Sequence, residues 1–317
     1  MNQLLISGSP HAHSRDSVKR RMWNVVIALL PALAVGVWAF GATALLTIGV
    51  AVLACLLTEW VIATLIMHKP LTLSNGSALI TGLLLAMNVP DILPWWMTAI
   101  GAVVAIGIGK MSFGGLGTNI WNPALVGRVF LLLSFPAAMT TWSTSVGSGL
   151  TDGTTGATIL NTLKMNGHHV EGSTVEWTNL LVGNMNGSLG EVGAIAILIG
   201  LLYLLITRTI TWHIPVSMLA SAALMAWIGG ANPGLELLTG GMLLGAVFMA
   251  TDYVTSPMTH KGQLIYGCLI GVVTMVIRLW GAYPEGVSFA ILLGNSVTPL
   301  LNKYCRPRLF GAIKKVK

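Results

Sequence analysis

The feature that most constrains this chain is a succession of long apolar runs separated by short polar breaks. Met22–Phe40, Ala42–Met67, Ile92–Gly109, Val192–Thr207, Ile214–Gly230, Gln263–Trp280 and Val287–Tyr304 hold few charges or none. A helix needs about 20 mostly apolar residues to cross a bilayer, where only a helix or a closed barrel can bond all of its own backbone. Shorter or broken runs at Ser77–Pro90, Asn122–Pro136 and Leu237–Asp252 bring the expectation to about ten passes. Composition agrees: 54% of the residues are hydrophobic and 9% charged, against about 25% charged in an ordinary soluble domain. Such a chain cannot cover a soluble surface, and it is too apolar for disorder. The expected fold class is an all-α integral membrane protein.

The charges give the expected orientation. Lys and Arg gather on the cytoplasmic side of membrane proteins. Arg15, Lys19, Arg20 and Arg21 precede the first run, and Lys303, Arg306, Arg308, Lys314, Lys315 and Lys317 end the chain. With both termini inside, Lys69, Lys110, Arg208 and Lys261 fall in inner loops. Asp91, Asp152, Glu171, Glu176, Glu191, Glu236 and Glu285 fall in outer loops, with Lys164 their only base and Arg278 an awkward charge near a helix end. No small-residue cleavage site follows the basic start, so the first run reads as a spanning helix and not a cleaved signal. The net charge of +7 therefore reports topology. The bases form no single soluble face, so nucleic acid is not an expected partner, while membrane lipid is. Trp38, Trp95, Trp96, Trp227 and Trp280 stand near helix ends, as interfacial belts do. Cys55, Cys268 and Cys305 are scattered without CxxC spacing, which argues against a local metal or iron–sulfur site.

This organisation divides the chain into a cytoplasmic segment 1–21, a first membrane half 22–136, an extracytoplasmic loop 137–191, a second half 192–304 and a basic tail 305–317. Five passes on each side of the loop give halves of opposite orientation, the arithmetic of an inverted repeat. Gly82–Met87 followed by Asn88 echoes Gly245–Ala250 followed by Thr251 and Asp252, and each echo runs on to a proline, Pro90 or Pro257. Chance similarity between apolar stretches accounts for the local echo about equally well. Broken helices in matching places point to a site at the repeat interface.

The outer loop holds Asp152-Gly-Thr-Thr-Gly-Ala-Thr158. By composition this is a turn-rich loop. It also resembles the acceptor site of bacterial flavin transferases, an acidic residue followed by Ser/Thr-Gly-Ala-Thr. That resemblance implies FMN joined through its phosphate to Thr158, with Asp152, Thr155, Gly156 and Ala157 as the recognition context. Gly156 and Ala157 are expected to leave the hydroxyl open to the transferase. With Ser9-Pro10-His11, Phe113-Gly-Gly-Leu-Gly-Thr-Asn-Ile-Trp-Asn-Pro-Ala124, Arg128 and Thr251-Asp-Tyr-Val-Thr-Ser-Pro257, the whole chain is similar to the RnfD/NqrB family. Its members are membrane subunits of the Rnf complex, an ion-translocating ferredoxin:NAD oxidoreductase, and of the sodium-translocating NADH:quinone reductase. Only residues 1–21 precede the first run, whereas the NqrB type carries a longer extension, which favours the Rnf type.

The resemblance implies a subunit of a redox-driven ion pump in the bacterial inner membrane. It implies partner subunits, one of them also carrying covalent FMN, and a flavin transferase for maturation. It also implies a second, noncovalent flavin such as riboflavin, and coupling to Na+ or H+. The chain lacks a nucleotide fold and an iron–sulfur motif, so it is not expected to act alone. Its other candidate residues read both ways. Gly114, Gly115 and Gly117 suit a re-entrant turn that permits close packing. Asn119, Asn122 and Arg128 could meet a flavin, although an ion pair with Asp252 or Glu59 would suit Arg128 equally. Asp252 with Thr255 could ligate a hard cation or a flavin, or close a helix end. Glu59 could handle ions or form an inward structural pair. The rival reading is a non-redox transporter or channel on an inverted repeat; a passive scaffold is a third.

Overall fold

The computed structural model of the chain describes residues 16–68, 73–143, 155–156, 158–165, 177–182 and 187–307. Helix α1 (Val18–Phe40) starts at Ser17, whose side chain accepts from Arg20 N and so satisfies one orphan amide of the first turn. Gly41 alone joins it to α2 (Ala42–Val61), at a φ of 67° that favours glycine. Helix α2 runs on as a π-helical turn over Ile62–Ile66. Helices α3 (Ser77–Ala86), α4 (Trp95–Gly107) and α5 (Pro123–Ser134) follow.

The segment expected as a loop carries α6 (Pro136–Met139), α7 (Ile159–Met165) and α8 (Trp177–Val182). Strands β1 (Trp142–Ser143) and β2 (Thr155–Gly156) pair antiparallel there, with Trp142 opposite Gly156. Beyond it come α9 (Ala194–Ile206), α10 (His213–Ile228), α11 (Pro233–Leu238), α12 (Met242–Leu244) with a π-helical turn over Gly245–Met249, α13 (His260–Trp280) and α14 (Val287–Tyr304). A helical segment thus stands at each apolar run read from the sequence. The run Leu237–Asp252 is broken, as expected, at Gly240 and Gly241, both with positive φ.

Val18–Phe40, Ala42–Ile66, Trp95–Phe113 and His260–Trp280 are long and apolar enough to cross a membrane. Helices α3, α5, α9 and α10 are apolar but shorter. At about 1.5 Å per residue a short helix falls well below the ~30 Å hydrocarbon core, so its polar ends need shelter from other helices. Helix α3 has that shelter: Ala78, Leu83, Leu84, Leu85 and Ala86 are all buried. The packing of the halves runs in parallel. Helix α2 lies on α4 and α4 on α5, while α10 lies on α13 and α13 on α14; α1 meets α9 across the halves.

Side-chain bonds identify two ends. At one, Arg21 donates to Thr207 O and Arg208 O, the rings of His213 and His260 stack, and Met258 N donates to Asn302 Oδ1. This is the basic end. At the other, Asp91 accepts from Thr43 and Ser143, and Lys164 donates to the carbonyls of Gly281 and Tyr283. This is the loop end.

Several charges assigned to loops lie in the interior: Lys110, Asp91, Glu191 and Glu236 are buried. Each is tolerated because it is bonded, as buried polar groups must be.

Helices α10 and α13 approach closely because Gly267 and Gly271, four residues apart, present no side chain to α10. A Cβ on Gly267 would collide with Ser217 Oγ, and one on Gly271 with Ser221 Oγ and the Met218 carbonyl. Small residues at this spacing let helix backbones meet in a membrane. Gly271→Ala should therefore lower stability by about 1–3 kcal/mol, the usual cost of overpacking. Gly49→Ala, which meets nothing within 4 Å, should not lower it. Thermal unfolding of the two detergent-solubilised variants tests this difference.

Two polar cavities at opposite ends of the bundle

The basic-end cavity, of about 70 Å³, lies among α1, α3, α9 and the segments after α4 and after the π turn Gly245–Met249. Its polar lining is Ser77, Thr81, Lys110, Asn119, Asn122, Thr251 and Asp252. The residues come together because α3 and α5 begin here and α4 and the π turn Gly245–Met249 end here. Lys110, just past α4, donates to Glu59 Oε2 and to Ser77 Oγ, each at 2.6 Å. Both charges of this pair are almost wholly buried. The ammonium has three donors, and these bonds engage two of them. Glu59 is thus the inward structural pair, and its partner is Lys110.

Asn122 caps α5, accepting from Ala124 N at 3.1 Å, and its amide donates to Met249 O at 3.2 Å. Pro123 follows at the first helical position, where its missing N–H costs nothing. Asn119 donates to Trp121 O within the connecting turn. Asp252 accepts from Thr255 Oγ1 at 3.2 Å, and Thr298 donates to Thr255 O. That is a helix-end network, but Asp252 also faces the cavity that Asn119 and Asn122 line. The glycines of the turn have a different role from the one expected. Gly114, Gly115 and Gly117 take positive φ values of 111°, 108° and 96°. A Cβ on Gly115 or Gly117 would have no neighbour within 4 Å. Backbone conformation, not close packing, requires glycine there.

The loop-end cavity, of about 110 Å³, is lined by Thr158, Asn161, Arg128, Glu285, Thr140 and the walls Leu132, Met139, Trp142, Tyr283 and Pro284. Arg128 does not pair with Asp252 or Glu59. It pairs with Glu285 and donates to Ser288 Oγ at 2.5 Å and Asn88 Oδ1 at 3.3 Å. The sequence reading missed Glu285 because it lies far along the chain. Asn88 in turn donates to Leu84 O and contacts Met249 Sδ at 3.8 Å. Met249 is therefore bonded by Asn122 from the basic-end cavity and by Asn88 from the side of Arg128.

Thr158 is not the open loop hydroxyl that was expected. It is 2% exposed, and its Oγ1 accepts from Asn161 N at 3.2 Å, capping α7. The β1–β2 pair holds Thr155 and Gly156 against Ser143 and Trp142, which brings the motif to the cavity. Asp152 and Ala157 lie outside the described residues. A hydroxyl, a guanidinium and aromatic walls in one cavity suit a phosphate joined to a planar ring, since guanidinium binds phosphate and aromatic faces stack. Among the described residues no cluster of three or more His, Cys, Asp or Glu could hold a metal ion.

The Glu59–Lys110 pair can be tested directly. Removing one partner of a buried pair costs about 3–5 kcal/mol, whereas replacing both with apolar groups is often neutral. Glu59→Gln should destabilise by that amount, and adding Lys110→Met should recover most of it. A double-mutant cycle on thermal stability reads the coupling.

Comparison with known proteins supplies the family. Residues 5–311 match the family described as NQR2, RnfD, RnfE. The chain is 46% identical over 316 residues to the D subunit of the Na(+)-translocating ferredoxin:NAD(+) oxidoreductase complex of Acetobacterium woodii, covering 99% of this chain and 98% of that one. It is 44% identical over 322 residues to the D subunit of the proton-translocating ferredoxin:NAD(+) oxidoreductase complex of Clostridium ljungdahlii, covering 98% and 97%. It is 39% identical over 347 residues to the D subunit of the ion-translocating oxidoreductase complex of Escherichia fergusonii, covering 96% and 98%. By its helices and by this match along nearly its whole length, the chain belongs to the NQR2, RnfD, RnfE family of multi-pass membrane proteins.

Proposed function

We propose that this chain is the flavin-carrying membrane subunit of an ion-translocating oxidoreductase complex of the ferredoxin:NAD type. The observation that carries the reading is the shared cavity of Thr158 and Arg128 at the loop end. Thr158 supplies the oxygen for a phosphodiester to FMN. Arg128 supplies a positive charge beside it, shared with Glu285. Trp142, Met139 and Tyr283 wall the same space. A bound flavin supplies one-electron transfer that the side chains of this protein lack. Thr158 is capped and buried once α7 has docked, so attachment precedes docking or requires α7 to lift. The reagents that activate the hydroxyl, a base and a metal-bound phosphate, belong to the transferase.

The basic-end cavity is the favoured place for a second, noncovalent flavin, with Asn119, Asn122 and Lys110 as polar partners. Asp252 is favoured over Glu59 as an ion-handling carboxylate. Lys110 neutralises Glu59, whereas Asp252 is bonded by the Thr255 hydroxyl and by nearby backbone. Relatives of similar identity are named for Na+ and for protons, so family membership leaves the ion open. The basic end is placed in the cytoplasm by the distribution of Lys and Arg. The parallel packing of the halves supports an inverted five-plus-five repeat. Other subunits of the complex, one of them with covalent FMN, are the proposed partners.

Orientation is tested by single cysteines at Ser148 and Ser7, both outside the described residues. An impermeant thiol reagent on intact cells should mark the first alone; the reverse pattern would overturn the topology. Attachment is tested by mass spectrometry of the Gly153–Lys164 peptide from cells with an active flavin transferase. The FMN mass should appear in the wild type and vanish in Thr158→Ala. The variant should still fold, losing about 1 kcal/mol for the helix cap. An unmodified wild-type peptide would defeat the flavin reading.

A further inference from the structure

A buried carboxyl group at the loop end has no part in binding the proposed flavin. Glu191, between α8 and α9, is 5% exposed. Its Oε1 accepts from Gly240 N, and its Oε2 accepts from Ser188 N at 3.3 Å. Both donors are backbone amides without net charge. The neighbouring cation is engaged elsewhere. Arg278 Nη1 donates to Glu236 O at 2.5 Å and Glu236 Oε2 at 3.0 Å, and Nη2 donates to Thr239 O and Gly240 O, each at 3.0 Å. Arg278 Nε has no hydrogen-bond partner among the described residues, so it does not bond to Glu191 either. Glu236 already neutralises this guanidinium. Glu285, in the turn before α14, lies near enough for its charge to act on Glu191, and it is paired with Arg128. Lys164, on α7, is bonded to the carbonyls of Gly281 and Tyr283. Ionised, Glu191 would be a buried negative charge with no ion-pair partner among the described residues, and a proton relieves that cost. Burial first, then the Glu285 charge, raises its carboxyl to about 7, against the two amides and Arg278.

Packing links this group to the Thr158 cavity. A Cβ on Gly240, whose amide Glu191 holds, would meet Leu160 Cδ2 of α7 at 2.7 Å. Thr158 caps that same helix. Glu285 lines the cavity with Thr158 and is also the charge that Glu191 feels. Added negative charge in the cavity therefore favours protonated Glu191.

We propose that Glu191 is a proton-binding site coupled to reduction of a flavin held at the Thr158 cavity. As one electron arrives from the electron-donating partner subunit, one proton from loop-end solvent forms an O–H bond on the Glu191 carboxylate, and no covalent bond breaks. The proposal rests on the flavin reading of Thr158.

Two measurements on the purified complex test it. The first is the one-electron midpoint potential of the Thr158-linked flavin between about pH 6 and 8, compared with Glu191→Gln. A proton taken up on reduction becomes scarcer as pH rises, so the wild-type potential should fall, by at most a tenfold change in equilibrium constant or 59 mV per pH unit. Glu191→Gln should lose most of that slope; equal slopes, with the flavin still attached by mass, overturn the coupling. The second is the infrared carboxylic-acid band of the oxidised protein. It should titrate near neutral pH and be missing from Glu191→Gln, and its absence from the wild type overturns the proton site. Both wild-type measurements stand if the variant fails to fold. If the band is present but Thr158 carries no flavin, the flavin reading and the coupling fail together, while Glu191 is upheld as a proton site.

Discussion

A single charge in an apolar interior is costly unless it is paired and hydrogen-bonded. Two buried pairs and one part-buried pair meet that requirement among the described residues: Glu59 with Lys110, Glu236 with Arg278, and Arg128 with Glu285. Each ties two elements that are far apart in the chain. Glu59–Lys110 joins α2 to the end of α4, and Glu236–Arg278 joins α11 to α13. Arg128–Glu285 joins the two halves of the protein. Losing one partner leaves the other uncompensated, at about 3–5 kcal/mol. The pairs therefore fix which helix ends meet, and the two cavities form beside them.

The second constraint is backbone satisfaction. Short and broken helices place polar ends within the bundle, where water is scarce. Asn122 and Asn232 cap α5 and α11 with the same geometry, each followed by proline. Asn122 and Asn88 approach Met249 from the two sides. This polar line runs from the Asp252 cavity to Arg128 and the Thr158 cavity. The walls of the two cavities are thus linked through Asn122, Met249, Asn88 and Arg128. The extra carboxyl, Glu191, sits at the loop end of that arrangement with amides as its hydrogen-bond donors.

The membrane class, the helical segments and the break in the run Leu237–Asp252 were all legible in the sequence. The physical reason is that hydrocarbon imposes one local rule: an apolar run of sufficient length must be helical. The Asp152–Thr158 resemblance could be stated from the sequence because it rests on a short contiguous segment. The surroundings of the acidic loop residues were not legible: Asp91, Glu191 and Glu236 lie in connecting segments or short helices at the loop end, yet they are buried there.

Partner choice was not legible. Nothing local in the chain distinguishes Glu285 from Asp252 as the mate of Arg128, or names Lys110 as the mate of Glu59. Those pairings depend on how helices cross and on where their ends turn, which packing contacts such as Gly271 against Met218 decide. The burial of Thr158 is of the same kind: its motif is contiguous, but whether α7 docks over the cavity depends on Lys164 reaching Gly281 and Tyr283, more than a hundred residues away. By itself the sequence determined the membrane class, the helical segments and the candidate attachment threonine, because hydrophobicity and motif chemistry act over short stretches. Tertiary structure alone decided which charges neutralise one another and which groups share a cavity, because those interactions act through space between distant residues.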